Sequence, residues 1–596
     1  MLKYFLLLFS FLIISLNFIS AQKITRGPYL QMVNTNSIII RWRTDSMTNS
    51  KVLFGLNENN LDKNIQDKAL SKEHVVQLNN LTANTQYFYK IGFDTVVFKG
   101  TQQYFSTAPL SNSLKKMRFA AYGDSGLGQQ TQIDINKAFL HFWKNTRPDI
   151  MLLAGDNAYG SGLETEYQTK FFDIYQDSLL RNIPLYPVLG NHDYGNSEEL
   201  AANKQAHYFN TFSTPSKGES GGVASNSSAY YSFNYGNVHF VILDTYGTEN
   251  GKKLYDSTGT QALWLKDDLL KNNSMWTIAL GHHPPYTKGT HNSDGEYDLV
   301  AIRKQVVPIL ERYGVDMAIF GHSHVYERSY LMKNHLDYDT TFSIKNKVSL
   351  SNATYNGVDT TCFYKLPLTK SPHGTVYVVA GSAGNAGTAY VTAEFPHRAA
   401  VASEKEKGGI FCFEVEDNRL DAYFVRADSI VKDRFTMMKN VGKRTVINQF
   451  VRQDTLELKA SFIGQYKWST GQKTRSIKVK TQEEGQFRYI VEDSLKCVKD
   501  TFDMNLLVSR LDERNLDFNL KSLQIEEKTL RFSIESDISQ NLEMGIFDLL
   551  GRPVFNKKFS QFQSEMSIST PLSTGVFLLN IRNEKGQFLN RKVVVF

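Results

Sequence analysis

Asp124 in GDSG, Asp156 and Tyr159 in GDNAY, Asn191 and His192 in GNHD, His282 in GHHP, and His322 and His324 in GHSH each follow an apolar run, and each motif opens with glycine. Asp124, Asp156, Tyr159, Asn191, His282, His322 and His324 together offer carboxylate, phenol, amide and imidazole donors. Seven donors are too many for one tetrahedral ion and suit two ions about 3.5–4 Å apart that share a bridging carboxylate. The absence of thiolate from the set favours iron, manganese or zinc over Cu(I) or an Fe–S cluster. Singly these motifs are weak: Gly-Asp after a strand is usually a turn, and His-Ser-His is as often a surface pair. Five in this order, each at a strand end, are what a shared metal pocket requires. In GHSH the i, i+2 spacing predicts both imidazoles on one side of an extended segment, within reach of adjacent ions. His283 is expected to face away from the pocket and serve structure, because consecutive strand residues point to opposite sides. His141, His239 and His335 fall outside the motifs and receive no role.

The elements that must present these residues are the apolar runs themselves: MRFAAY, DIMLLA, IPLYPVL, NVHFVIL, WTIAL, MAIF and GTVYVVA, between Lys115 and about Phe435. Continuous apolar runs read as strands buried on both faces, with functional groups just past their ends. A glycine there lets the chain turn sharply into a common cleft. Before them, Thr25 to about Thr107 carries short alternating strands (SIIIRWRT, KVLFG, HVVQL, QYFYKIG), predicting about seven strands in a small β-sandwich. Trp42 lies mid-strand and Tyr87 where a tyrosine corner would cap the fold; the segment resembles a fibronectin type III domain with a supporting role. After about Asn440 there are no clustered histidines. YKWSTGQKTRSIKV and FRYIVEDSLKC read as a small immunoglobulin-like sandwich, and Ser522 onward as a final compact β-domain.

The chain has 596 residues, enough for several domains. Lys+Arg 67 against Asp+Glu 60 gives a net charge of +7, and no basic tract supplies a nucleic-acid footprint. With 41% hydrophobic and 21% charged residues it is not a disordered chain. Three cysteines (Cys362, Cys412, Cys497) exclude a disulfide framework and a four-cysteine zinc site, leaving at most one internal disulfide. Residues 1–21, with Lys3 before a long apolar run ending in Ser20-Ala21, have the order of a secretory signal peptide; an uncleaved membrane anchor is the alternative.

In this order the five motifs resemble the metallophosphoesterases and, within them, the purple acid phosphatases. General members open with Asp-x-His; here Gly126 stands in that histidine's place, and GDNAY supplies Tyr159, the tyrosine of the purple branch. RGPYLQMV (Arg26–Val33) and VYERSY (Val325–Tyr330) resemble the larger two-domain members. The resemblance implies an α/β sandwich of two mixed β-sheets flanked by helices. It implies Fe(III) held by Asp124, Tyr159 and His324, a divalent ion (Fe, Zn or Mn) held by Asn191, His282 and His322, and Asp156 bridging them. His192 matches the outer-sphere histidine, and His291 a second histidine facing the substrate. Plant-type members often carry two adjacent histidines there, whereas this chain has His291-Asn292, which leaves the proton donor open. The implied activity is a secreted acid phosphatase in which a metal-activated hydroxide attacks phosphate monoesters. A phosphodiesterase or nucleotide pyrophosphatase using the same centre is the alternative, decided by the loops Ser197–Ser228 and Lys333–Lys370. A non-catalytic surface adhesin with a degenerate enzyme domain is the reading from another class, and the complete ligand set argues against it. FDLLGRPV (Phe547–Val554), the Leu-Ser-Thr-Gly turn and the final RKVVVF are similar to the sorting domain read by the type IX secretion system. Expected partners are therefore small phosphate esters and the secretion machinery, without nucleic acid or a membrane span in the mature chain, at a secreted or cell-surface location reached across the outer membrane. The expected domains are residues 1–21 (signal), 22–112 (fibronectin III-like), 115–438 (catalytic), 445–515 (Ig-like) and 518–596 (sorting).

Overall fold

The structure, a computed structural model, describes residues 22–595 except 99–101, 112, 145, 359–360, 369–370, 451–454, 481–484, 508–515 and 527. The expected signal segment, residues 1–21, lies outside the described residues. The chain forms two compact units. The first runs to Lys443 and also includes 461–465 and 492–499; the second comprises 444–460, 466–491 and 500–596.

Among the described residues two large sheets build the first unit. One has 13 strands and the other seven. In the larger sheet, Met117–Tyr122, Ile150–Leu153 and Leu185–Tyr186 run parallel as neighbours. In the smaller, Val238–Ile242, Trp276–Leu280, Met317–Phe320 and Val376–Ala380 are likewise parallel neighbours. Parallel strands end on the same edge, so the polar loops that follow them open on the same side of each sheet. The apolar runs alternate in destination. Phe119, Ile150 and Leu152 pack with Phe240, Ile278 and Ile319 in a core shared by the two sheets. Ala120, Met151, Val241, Ala279 and Ala318 turn to the opposite faces, which helices cover. Gln130–Phe142 buries Ile135 and Phe139 there, and Thr260–Lys271 buries Trp264, Leu265 and Leu269. The layers are helix, sheet, sheet, helix.

The N-terminal region departs from a free-standing sandwich of about seven short strands. Its strands belong to the larger sheet: Ile24–Gln31 pairs with Ile38–Gly55 and also, through Gln31↔Leu185, with the strand Leu185–Tyr186 in parallel. The two runs read as SIIIRWRT and KVLFG are one strand, Ile38–Gly55. No glycine or proline lies between Thr44 and Lys51, so the chain absorbs the irregularity as register shifts between Arg43 and Ser50 instead of turning. Tyr87 does make the expected corner, its hydroxyl accepting from Thr82 N at 3.0 Å.

Cys362 and Cys497 form a disulfide within this unit, and Cys412 is buried and free. Among the described residues no helix is long and apolar enough to cross a membrane. Among the described residues the regular elements of the second unit are strands: Arg444–Phe450, 500–507, 485–491 and Tyr466–Trp468 share one sheet, Thr455–Lys459 pairs with Ser476–Lys480, and a five-stranded sheet spans Asn519–Val595. Phe532, Ile546, Leu579, Ile581 and Val593 fill the core of the five-stranded sheet.

Candidate metal centre

Asp124, Asp156, Tyr159 and Asn191 follow strands of the larger sheet, and His282, His322 and His324 follow strands of the smaller one. All seven meet in one pocket. On one side the Tyr159 hydroxyl lies 2.7 Å from Asp124 Oδ1 and 2.9 Å from His324 Nε2, and His324 Nε2 lies 3.5 Å from Asp124 Oδ1. On the other, His282 Nε2 lies 3.1 Å from Asn191 Oδ1 and 3.3 Å from Asp156 Oδ2. One ligand atom each of Asp156, His282 and His322 falls within 4.8 Å of the others. The two sides are stitched by His322 N, which donates to Asp124 Oδ2 at 2.8 Å.

The backbone is bent at the candidate ligands themselves. Asp124, Asp156 and His322 have φ of +56°, +53° and +66°, a region that costs a non-glycine residue energy and concentrates at functional sites. The GHSH segment is therefore not extended, and the i, i+2 argument fails. With φ positive at His322, His324 turns toward Asp124 and Tyr159 while His322 faces Asp156 and His282. The glycines serve close approach more than turning. A Cβ on Gly190 would lie 2.1 Å from Asp156 Oδ1, and one on Gly321 would lie 2.5 Å from Asp124 Oδ2.

His283 also departs from expectation. Its ring lies 4.4 Å from that of His322, and its Nδ1 meets Thr245 Oγ1 at 2.9 Å. The strand stops at Leu280, so strand alternation no longer governs where His283 points. It backs the candidate ligand His322 from the protein side. Thr245 Oγ1 also accepts from His282 N and His283 N, fixing the GHHP turn.

Electrostatics fit a cation pocket. Asp124 and Asp156 are 0% and 2% exposed. Burial acts against the Asp156 carboxylate, yet His282, His192 and His322 hold its pKa well below the usual range. Burial likewise acts against charging His282, but Asp156 and Asp124 raise it to about 9. Two buried carboxylates thus demand positive charge, which metal ions would supply in place of imidazole protons. Burial lowers His322 to about 4, so it is a neutral imidazole ready to ligate. Burial, then Asp124, push the Tyr159 phenol well above its ordinary value, so it becomes a phenolate donor here only against a cation.

His192 and His291 flank the donors. His192 Nε2 is 4.0 Å from Asp156 Oδ2, and its Nδ1 donates to Gly160 O at 2.7 Å. The His291 ring stacks on His322 with centroids 3.7 Å apart. Two carboxylates escaped the sequence reading. Glu296 Oε2 accepts from His291 Nδ1 at 2.9 Å and lies 3.6 Å from His322 Nε2; nothing in NSDGEYD marks it. Asp193, the last residue of GNHD, is buried and accepts from Gly190 N at 2.8 Å, Asn157 Nδ2 at 3.0 Å and the Tyr167 hydroxyl at 2.6 Å, binding the GDNAY loop to the GNHD loop. Its place within the motif was the available signal.

Comparison with known proteins agrees with this geometry. Residues 117–326 match the calcineurin-like phosphoesterase family, 26–107 the N-terminal domain of purple acid phosphatases, and 528–596 a secretion system C-terminal sorting domain. Purple acid phosphatase 15 of Arabidopsis thaliana is 30% identical over 339 residues, covering 52% of this chain and 53% of that protein. A phosphoenolpyruvate phosphatase of Allium cepa is 26% identical over 380 residues, covering 61% of this chain and 69% of that protein. The chain spans about half the length of several of the curated relatives it matches. A purple acid phosphatase from yellow lupin (Lupinus luteus) seeds shares the fold, with a TM-score of 0.53 and 17% identity over 69% of this chain and 74% of that one. All seven donors fall within the segment 117–326 that matches the calcineurin-like phosphoesterase family, downstream of the segment that matches the N-terminal domain of purple acid phosphatases.

Proposed function

We propose that this chain is an exported phosphoric monoester hydrolase of the purple acid phosphatase kind, working with two metal ions. The observation that carries this reading is the meeting of seven donors in one pocket, with a histidine on either side. Asp124, Tyr159 and His324 would hold Fe(III); Asn191, His282 and His322 would hold a divalent Fe, Zn or Mn; Asp156, in reach of both groups, would bridge. When bound, the ions supply Lewis-acid polarisation of the phosphate and a water of lowered pKa. His192 donates a hydrogen bond from Nδ1 to Gly160 O, so that its Nε2, when the ring is protonated, would donate to a phosphate oxygen. Glu296 accepts the Nδ1 hydrogen bond of His291, so the protonated ring of His291 would deliver its Nε2 proton to the leaving oxygen. The immunoglobulin-like reading of 445–515 and export through the terminal domain, 518–596, belong to the same proposal.

The purified protein should hydrolyse p-nitrophenyl phosphate well and bis(p-nitrophenyl) phosphate poorly, carry two metal ions by elemental analysis, and show a visible tyrosinate-to-iron band. Preference for the diester would overturn the monoesterase reading, and a metal-free, colourless active protein would overturn the dinuclear one.

A further inference from the structure

The loop after Tyr159 connects two parts of the first unit that the sequence separates. Glu166 Oε1 accepts from Gly160 N at 2.6 Å, and its Oε2 accepts from Ser161 N at 2.9 Å and Leu163 N at 3.0 Å. Gly160 O is the acceptor that orients the His192 ring. Lys170 Nζ bonds Tyr159 O and pairs with Glu166. Residues 160–166 thus form a strap whose inner end sets both Tyr159 and His192. Its inner side is packed, since a Cβ on Gly162 would lie 2.5 Å from Asp193 O.

The outer end is held from the N-terminal strands. Glu164 accepts from Arg26 Nη2 and from Arg43 Nη1. Arg26 is 1% exposed, donates from Nε to Gln168 Oε1 at 2.8 Å, and lies 4.3 Å over the Phe172 ring. Arg43 is braced by Glu73. A carboxylate shared by two guanidinium groups, one of them buried, is far more rigid than an exposed ion pair. We propose that Arg26 and Arg43, through Glu164, make the N-terminal β-region part of the machinery that positions His192. Glu164 and the two arginines are positioning residues; none of them needs to touch substrate. This inference rests on the phosphatase reading only for the role of His192, and its structural arm is independent of that reading.

The test uses the full chain. Glu164→Gln and Arg43→Met remove the clamp's charge while Arg26 stays in place. Hydrogen–deuterium exchange on the metal-free protein reads the amides of Gly160, Ser161 and Leu163, and kinetics on the loaded protein read p-nitrophenyl phosphate turnover. The expected result is faster exchange confined to residues 160–166, with kcat lowered about tenfold, KM and metal content unchanged, and the thermal midpoint close to that of the parent. Unchanged exchange in both variants would overturn the clamp. Faster exchange with unchanged kcat would overturn its link to His192. A parent protein inactive on every phosphate ester would instead defeat the proposed function, and the exchange result would still decide the strap.

Discussion

The two sheets of the first unit divide the donors by element. Of the candidate ligands, the larger sheet provides only oxygen donors, Asp124, Asp156, Tyr159 and Asn191, while the smaller provides only imidazoles, His282, His322 and His324. Neither half is electrostatically complete. The oxygen half buries two carboxylates that need positive charge; the nitrogen half holds imidazoles whose charge depends on those carboxylates. The site is thus a property of the packing between the sheets, and the shared core of Phe119, Leu152, Ile278 and Ile319 is what brings the halves into register.

Four measurements would break or sharpen that division. Asp156→Asn removes an oxygen donor in contact with His282 and close to His322; turnover should fall by more than about 100-fold and at least one ion should be lost by elemental analysis. Full activity there would mean that the halves are not joined at Asp156. Tyr159→Phe removes a donor confined to one side; the visible band should vanish with a smaller loss of rate, and a retained band would show that the phenol is not a ligand. Glu296→Gln acts behind the nitrogen half, and metal retention against a chelator should weaken about tenfold, as for other outer carboxylate–histidine contacts. The weakest expected effect lies in the extension of the oxygen-supplying sheet. Burial lowers His74, stacked on Trp42, from 6.5 to about 4. The unfolded chain therefore takes up that proton first, so this contribution to stability is full above pH 6.5 and is lost as pH falls through about 4. In the metal-free protein, urea midpoints for His74→Asn should drop less between pH 7 and pH 4 than those of the parent; equal drops would place the sensitivity elsewhere.

That these seven donors converge could be read in the sequence because each follows an apolar run that reads as an interior strand. What eluded that reading depends on neighbours remote in sequence. Glu296 becomes meaningful only once His291 stacks on His322, and the tilt of His283 follows from a strand that ends at Leu280. The joining of the N-terminal strands to the strands that carry Asp124, Asp156 and Asn191 rests on one parallel pairing, Gln31↔Leu185, which no periodicity announces. The positive φ values at Asp124, Asp156 and His322 were hidden because sequence logic assigns such angles to glycine, whereas here the glycines make room for ligand atoms.

The Cys362–Cys497 bond has a topological consequence for maturation. Any protease nick between these two residues leaves both fragments on one covalent molecule, visible as two bands only after reduction. Trimming that discards the matched segment 528–596 can therefore liberate the remainder under oxidising conditions only by cutting beyond Cys497.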